Sequence, residues 1–383
     1  MSQLPNLAAA SLACLCLISA SSTSAQPTRQ PLARASGPTQ ISMGNDFGCG
    51  LDPTGSVKCW GRCSDGECGS ANLRAAPTPR TVDGLSNITQ VVAGYSFACA
   101  LRGDGKVLCW GDNEYGQLGV DNPETRARPQ VVPGLDEITE LALGSFHACA
   151  LRGDGRVLCW GLNTYANLGT PAPEKRAAAA LVPRLPRATH LWAGQYHTCA
   201  QDQRGRIRCW GGSSNGQAGT RRRTRSAPVT RVRGLRNPEH VELGGAMGCA
   251  STAGVMSCWG SNIFNSGPGA FWSTPQTLSR ISQVESMAVG RRNLCAVSGG
   301  RVFCWGVNDM EQLAVPTQER GHIVSDPMAV PGIDDAVEVV IGGFAQCARR
   351  RSVGWVCWGY NGRAGVGVGS SARLVSVPTP LPW

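Results

Sequence analysis

Four short apolar stretches recur along this chain in a fixed order. Residues 128–169 read RPQVVPGLDEITELALGSFHACALRGDGRVLCWGLNTYANLG. PQVVPGL is an extended segment closed by Pro-Gly. ITELAL alternates apolar and polar positions and stops at a glycine. HACAL and RVLCWG flank a Gly-Asp-Gly turn. Alternation with a period of two, bounded by glycine and proline, predicts strands rather than helices. Four short strands per unit predict one antiparallel blade.

The unit repeats. Residues 99–111 read CALRGDGKVLCWG and residues 149–161 read CALRGDGRVLCWG. Cys49, Cys99, Cys149, Cys199, Cys249, Cys295 and Cys347 each open such a stretch, in steps of 50, 50, 50, 50, 46 and 52 residues. A period of that size built from short strands predicts a propeller or solenoid. The ends of the chain predict how a ring closes. The first unit starts at ISMGNDFGCGL, without the P-x-x-V-P-G-L element, and LVSVPTPLPW follows the seventh unit. The expectation is that this C-terminal segment completes the first blade and leaves no open sheet edge.

Cysteine spacing sharpens the picture. The chain has 18 cysteines. Cys14 and Cys16 lie in the first 25 residues. Fourteen others form seven pairs: Cys49 with Cys59, Cys99 with Cys109, Cys149 with Cys159, Cys199 with Cys209, Cys249 with Cys258, Cys295 with Cys304, and Cys347 with Cys357. Each second cysteine precedes Trp-Gly. Cys63 and Cys68 complete the set as a local pair in the first unit. Zinc knuckles place cysteines two to four residues apart, so this spacing argues against metal. A hairpin with the three-residue loop Gly103-Asp104-Gly105 sets Cys99 across from Cys109. In the two shorter pairs the loop becomes Ala253-Gly254 or Gly299-Gly300, and the cysteines still face each other. That compensation predicts cross-strand disulfides, each closing a loop worth up to about 3 kcal/mol on a chain-entropy model. Disulfides imply maturation in an oxidising compartment.

The first 25 residues fit that compartment. Residues 7–20 are an apolar run, and TSA at 23–25 offers the small residues of a signal-peptidase site. We expect residues 1–25 to be a signal peptide, 26–40 a flexible linker and 41–383 the propeller. No later segment is long and apolar enough to predict a membrane-spanning helix. Charged residues are 16 % and apolar residues 42 %, a globular composition. The formal charge of +10 lies wholly outside the first 25 residues and favours acidic partners.

The pattern G-x-x-H-x-C-A-L, G-x-V-x-C-W-G-x-N and G-Q-L-G resembles the regulator of chromosome condensation repeat. GQLG stands at residues 116–119, with degraded copies ANLG at 166–169, GQAG at 216–219 and GRAG at 362–365. The resemblance implies an all-β, seven-bladed propeller. It also implies, for the nuclear members, nucleotide exchange on a small GTPase; a disulfide ladder and an exported chain do not fit that role. In the first unit Cys63 and Cys68 stand where the second has Asn113 and Leu118. Seven of the eleven tryptophans follow the second cysteine, which predicts a structural slot between blades.

Catalytic, cofactor and metal sites are not expected. No HExxH, P-loop or G-x-S-x-G is present. His147 and His197 sit at equivalent repeat positions, and Asp104 and Asp154 are turn residues. Charge is the one feature with chemical character. Residues 220–236, TRRRTRSAPVTRVRGLR, hold Arg221, Arg222, Arg223, Arg225, Arg231, Arg233 and Arg236 with no acid between. They are expected in the connection between the fourth and fifth blades, on one face of the ring. Arg349, Arg350 and Arg351 form a second cluster. Arginine forks suit carboxylates and phosphates; a solvated loop is the plain alternative. Residues 262–275 add Phe264, Phe271 and Trp272, either a recognition patch or filling for a shortened unit. The reading is a monomeric, non-catalytic scaffold, secreted, periplasmic or at the cell surface. It binds a protein or an acidic surface polymer, not nucleic acid. The alternatives are an exchange factor, or a hydrolase or lyase with its site at the ring mouth.

Overall fold

The computed structural model describes residues 37–122, 124–171, 175–221, 223–263, 271–315 and 323–383. The expected signal peptide, most of the linker, Arg222 and Phe264 lie outside the described residues. Every described strand belongs to one of seven four-stranded antiparallel sheets. In the second blade the strands run Ile88–Ala93, Phe97–Arg102, Val107–Gly111 and Arg126–Val131, in that spatial order. The first strand of each blade is innermost: Gln40–Met43, Ile88–Ala93, Ile138–Leu143, Ala188–Ala193, His240–Leu243, Val284–Val289 and Ala336–Ile341. Each inner strand contacts the next, and the last contacts the first.

The hairpins stand as the spacing predicts. Cys99 faces Cys109, Cys249 faces Cys258, and Thr252 faces Val255 around the Ala253-Gly254 turn. Both turn residues have positive φ, 50° and 72°, as a two-residue hairpin turn requires. Seven disulfides link facing cysteines at Cα separations of 4.0–4.1 Å, and Cys63–Cys68 makes the eighth at 5.1 Å.

Alternation along the second strand builds the core between blades. Phe97, Cys99 and Leu101 pack toward the third blade, among Leu141, Ala148 and Trp160. Ala98 and Ala100 pack toward the first, among Cys49 and Cys59. Both sheet faces are therefore buried, which is why this strand reads as a continuous apolar run. The tryptophans of Cys-Trp-Gly are 0–2 % exposed. In five, the indole N–H donates to a backbone carbonyl of the preceding blade: Trp110 to Glu67, Trp160 to Gln117, Trp210 to Asn167, Trp259 to Gln217, and Trp60 to Gly365. The following glycine sits in a bulge. Gly111 has φ of 104°, and a Cβ there would lie 2.6 Å from the Ser96 carbonyl.

One expectation is overturned. The C-terminal strand, Leu374–Pro380, pairs with Gly354–Tyr360 of the seventh blade, not with the first. The V-P-G-L element is the outer strand of its own unit, so all seven blades are contiguous in sequence. The ring closes by packing instead. Trp60 and Ile41 share a core with Cys347, Trp355 and Leu381, and Trp383 reaches Lys58 of the first blade.

A second correction concerns the G-Q-L-G copies. Leu118, Leu168 and Leu313 are buried, and their N–H groups bond the side-chain oxygens of Asn113, Asn163 and Asn308 at 2.8–2.9 Å. In the seventh blade Val366 plays this part with Asn361, so the equivalent of GQLG is residues 364–367, two positions beyond GRAG. The first blade makes the same five-residue closure with Cys63–Cys68. Replacing the pair by the sequence of the other blades, Cys63→Asn with Cys68→Leu, is expected to retain the fold. It should be roughly 2–4 kcal/mol more stable than Cys63→Ser with Cys68→Ser, from restored apolar burial and one hydrogen bond. Denaturant unfolding of the two variants measures the difference.

Candidate functional site

The antiparallel order divides the loops between two faces. Turns between first and second strands, and loops between third and fourth, emerge on one face, here the loop face. Hairpin turns and connections between blades emerge on the other, the hairpin face.

This division splits the arginine run. Thr224–Arg231 is the outer strand of the fourth blade, not a connection. Arg221, Arg223 and Arg225 therefore lie at the loop face, and Arg231, Arg233 and Arg236 lead to the hairpin face. The second cluster is not a free turn either. Arg349 and Arg350 belong to a strand. Arg349 donates to Glu338 at 2.9 Å, and Arg350 to Asp334 at 3.0 Å and to Asp335. Pairing recurs on the hairpin face: Arg102 with Asp104, Arg152 with Asp154, Arg206 and Arg208 with Asp202.

On the loop face the arginines are held by rings. The Arg223 guanidinium lies 4.2 Å from the Phe271 ring centroid, with its Nε donating to the Ser214 carbonyl. Arg225 lies 5.6 Å from the Tyr165 ring. Tyr165 meets Tyr196 at 5.2 Å, Tyr196 meets Phe146 at 6.4 Å, and Phe146 meets Tyr115 at 5.2 Å and Tyr95 at 5.3 Å. The rings are half-buried and the arginines exposed. A continuous aromatic row thus runs from the second blade to the fourth, with Arg225 on its Tyr165 end and Arg223 bridging to Phe271 of the fifth. Burial raises the Tyr196 phenol, against the opposing pull of Arg291, which is exposed at the same rim. Of the expected site residues, Arg223 and Phe271 meet, Arg225 lies on Tyr165 instead, and Arg221 is exposed. Trp272 packs against the core.

The five rings were not singled out from the sequence. They occupy different repeat positions: Tyr95 one residue after its glycine, Phe146 and Tyr196 two, Tyr115 and Tyr165 in the third-to-fourth loops. The available signal was that all five tyrosines of the chain, Tyr360 included, fall in segments that the antiparallel order puts on one face.

The rim beneath them is tied by backbone. Asn45 N–H donates to Tyr95, Tyr95 to Ser145, Ser145 to Gln195, Gln195 to Gly244, and Gly343 to Gly44. It surrounds a central cavity of about 470 Å³ lined by the inner strands. Side chains there bridge blades: Gln40 accepts from Val91 N–H, Gln90 from Leu141 and Glu140 from Leu191. Glu242 makes no such bridge. Burial pushes its carboxyl up to about 8, helped by the nearby Glu338 charge. Among the described residues no cluster of His, Cys, Asp or Glu is arranged to hold a metal ion.

Glu242 favours the protonated form in the fold, so its contribution is complete below the ordinary carboxylate range and is lost as pH rises toward 8. The Glu242→Gln variant is expected to melt like the wild type near pH 4.5 and increasingly above it between pH 5 and 8. Thermal unfolding across that window checks the sign.

Sequence matching finds the Regulator of chromosome condensation (RCC1) repeat at residues 39–69, 88–117, 138–166 and 193–217, and in a second form at 104–151 and 154–201. The chain is 27 % identical over 148 residues to Protein pim1 of Schizosaccharomyces pombe, a match covering 33 % of this chain and 28 % of that protein. Its fold is similar to Prp20p from Saccharomyces cerevisiae, with a TM-score of 0.75 at 21 % identity over 87 % of each chain. It is also similar to human WBSCR16, with a TM-score of 0.76 at 19 % identity over 86 % of this chain and 94 % of the other. The repeat matches fall in the first four of seven contiguous four-stranded blades, so the chain is a seven-bladed propeller that carries the regulator of chromosome condensation (RCC1) repeat.

Proposed function

We propose that this protein is an exported, non-catalytic scaffold that binds a macromolecular partner through the loop face of blades two to five. The observation that carries the reading is the Arg223–Phe271 and Arg225–Tyr165 stacking at the end of an aromatic row, on a rim fixed by backbone hydrogen bonds. Tyrosine and arginine on rigid loops rich in Ser, Asn and Gly are the residues that dominate binding energy at protein interfaces. Arg221, Arg223, Arg225 and Phe271 form the contact surface in this reading, while Trp272 packs against the core. Eight disulfides support an oxidising address, periplasmic, secreted or at the cell surface, reached by cleavage of residues 1–25.

Two other readings have an observation behind them. Glu242 in the central cavity is the described carboxylate best suited to a general acid at the ring mouth. Fold similarity to Prp20p, reported with binding to Gsp1p and histones, supports an exchange-type regulator. The disulfides weigh against a nuclear address.

A photo-reactive phenylalanine analogue placed at Tyr165, or at Arg204 on the hairpin face, tests the proposal in the exported protein. Crosslinking to one species from position 165, abolished by Arg223→Ser with Arg225→Ser and absent from position 204, is the expected result. Equal crosslinking from both faces would overturn it. The same preparation should begin at Gln26.

A further inference from the structure

We propose that the occupant of the loop face is an acidic segment of a protein, its carboxylates on Arg223, Arg225 and Arg291 and its apolar side chains on the Tyr95–Phe146–Tyr196–Tyr165 row. This rests on the loop face being the binding surface and adds the chemistry of what it binds.

Charge separates the two faces. On the hairpin face several arginines meet aspartates of their own chain, although Arg204, Arg233 and Arg236 form no ion pair with a described residue. On the loop face, the turns and loops of blades three, four and five contain no acid among the described residues. Arg223, Arg225 and Arg291 form no ion pair with any described residue, although ion pairs occur elsewhere on that face, such as Arg363 with Asp46. The second blade of the same face carries Asp112, Glu114, Asp121 and Glu124, and the sixth, which holds Arg291, carries Asp309 and Glu311. Among the described residues, the loops of blades three to five are thus cationic and lie between acidic ones. That arrangement orients and selects a partner of complementary charge.

Aromatic rings cover one side of the Arg223 and Arg225 guanidiniums, which restricts their rotamers before a partner arrives. A planar fork held this way is matched by a carboxylate, which accepts two N–H bonds at once. Less side-chain entropy is then lost on binding.

Ring geometry favours protein over sugar. Tyr115 and Phe146 are inclined at 63°, Tyr165 and Tyr196 at 62°, and the remaining pairs at 32–37°. A sugar chain stacks on ring faces presented in one plane. Tilted rings instead enclose notches, into which aliphatic and aromatic side-chain tips fit.

Binding of three soluble polyanions to the oxidised protein separates these chemistries: a random glutamate–tyrosine copolymer, polyglutamate and polygalacturonate, at about 0.15 M salt. The copolymer is expected to bind about tenfold or more tighter than polyglutamate, and polygalacturonate no tighter than polyglutamate, since buried apolar contact adds about 1.4 kcal/mol per tenfold. Arg223→Gln with Arg225→Gln should weaken both peptides about tenfold. Tyr95→Ser with Tyr115→Ser, rings remote from these two arginines, should lower the copolymer toward polyglutamate and leave polyglutamate unchanged. Arg204→Gln on the hairpin face should change nothing. Intact disulfides by mass establish that each variant is folded. Polygalacturonate binding as tightly as the copolymer, or arginine variants binding unchanged, would overturn the proposal. If crosslinking still localises a partner to position 165 while the copolymer fails to bind, the loop-face reading stands and the acidic-protein reading falls.

Discussion

The indole of each Cys-Trp-Gly tryptophan fills the space between two blades, and in at least five joints its N–H reaches a backbone carbonyl of the blade before. This joint sets the geometry of everything else. The accepting carbonyl belongs to the third-to-fourth loop, at the position of Gln in G-Q-L-G. The bond that spaces the blades therefore also anchors the loops of the binding face. A buried carbonyl deprived of its donor costs about 1–3 kcal/mol, and a large ring removed from such a slot costs about 3–5 kcal/mol. The glycine after the tryptophan follows from the same packing, because a side chain at Gly111 would strike the backbone of residues 96 and 97.

Interactions of one type exchange chemistry while keeping place. The loop closure of the first blade is a disulfide where others use asparagine and a backbone N–H. Beside it Glu67 accepts the Asp65 N–H, as Gln117 accepts that of Tyr115. Burial raises the Glu67 carboxyl to about 7, and Arg62 stands near it in the place of Asp112. His147 and His197 occupy the slot of Phe47 and Phe97, where burial holds them neutral, at about 4 and about 3. These side chains look chemical in the sequence and are parts of the joint.

The hairpins were legible because both cysteines of a pair belong to one local element, and shortening the loop by one residue left them opposed. The phase of the repeat was not. A tandem sequence reads the same wherever the unit is taken to begin, so V-P-G-L could open one blade or close the previous one. Backbone pairing decides this: Val132 N–H bonds the Val107 carbonyl of its own blade. That choice also moves Arg231, Arg233 and Arg236 to the opposite face from Arg223. The aromatic row was invisible for a related reason. Its members lie at unlike repeat positions in three blades and meet only because the loops of neighbouring blades converge above the rim. Arg223 and Phe271, both singled out from sequence, meet across 47 intervening residues, a contact that no local pattern encodes.

The closed ring is the claim on which the rigid face depends, and Trp60 is its witness. Its indole N–H bonds Gly365, joining the first blade to the last across 305 residues. Hydrogen exchange of the tryptophan indole protons, followed by nitrogen-15 NMR, tests the joint directly. Closure predicts that the Trp60 proton exchanges as slowly as those of Trp110, Trp160 and Trp210. A Trp60 proton that exchanges at the rate of an exposed indole, with the other three protected, would contradict it.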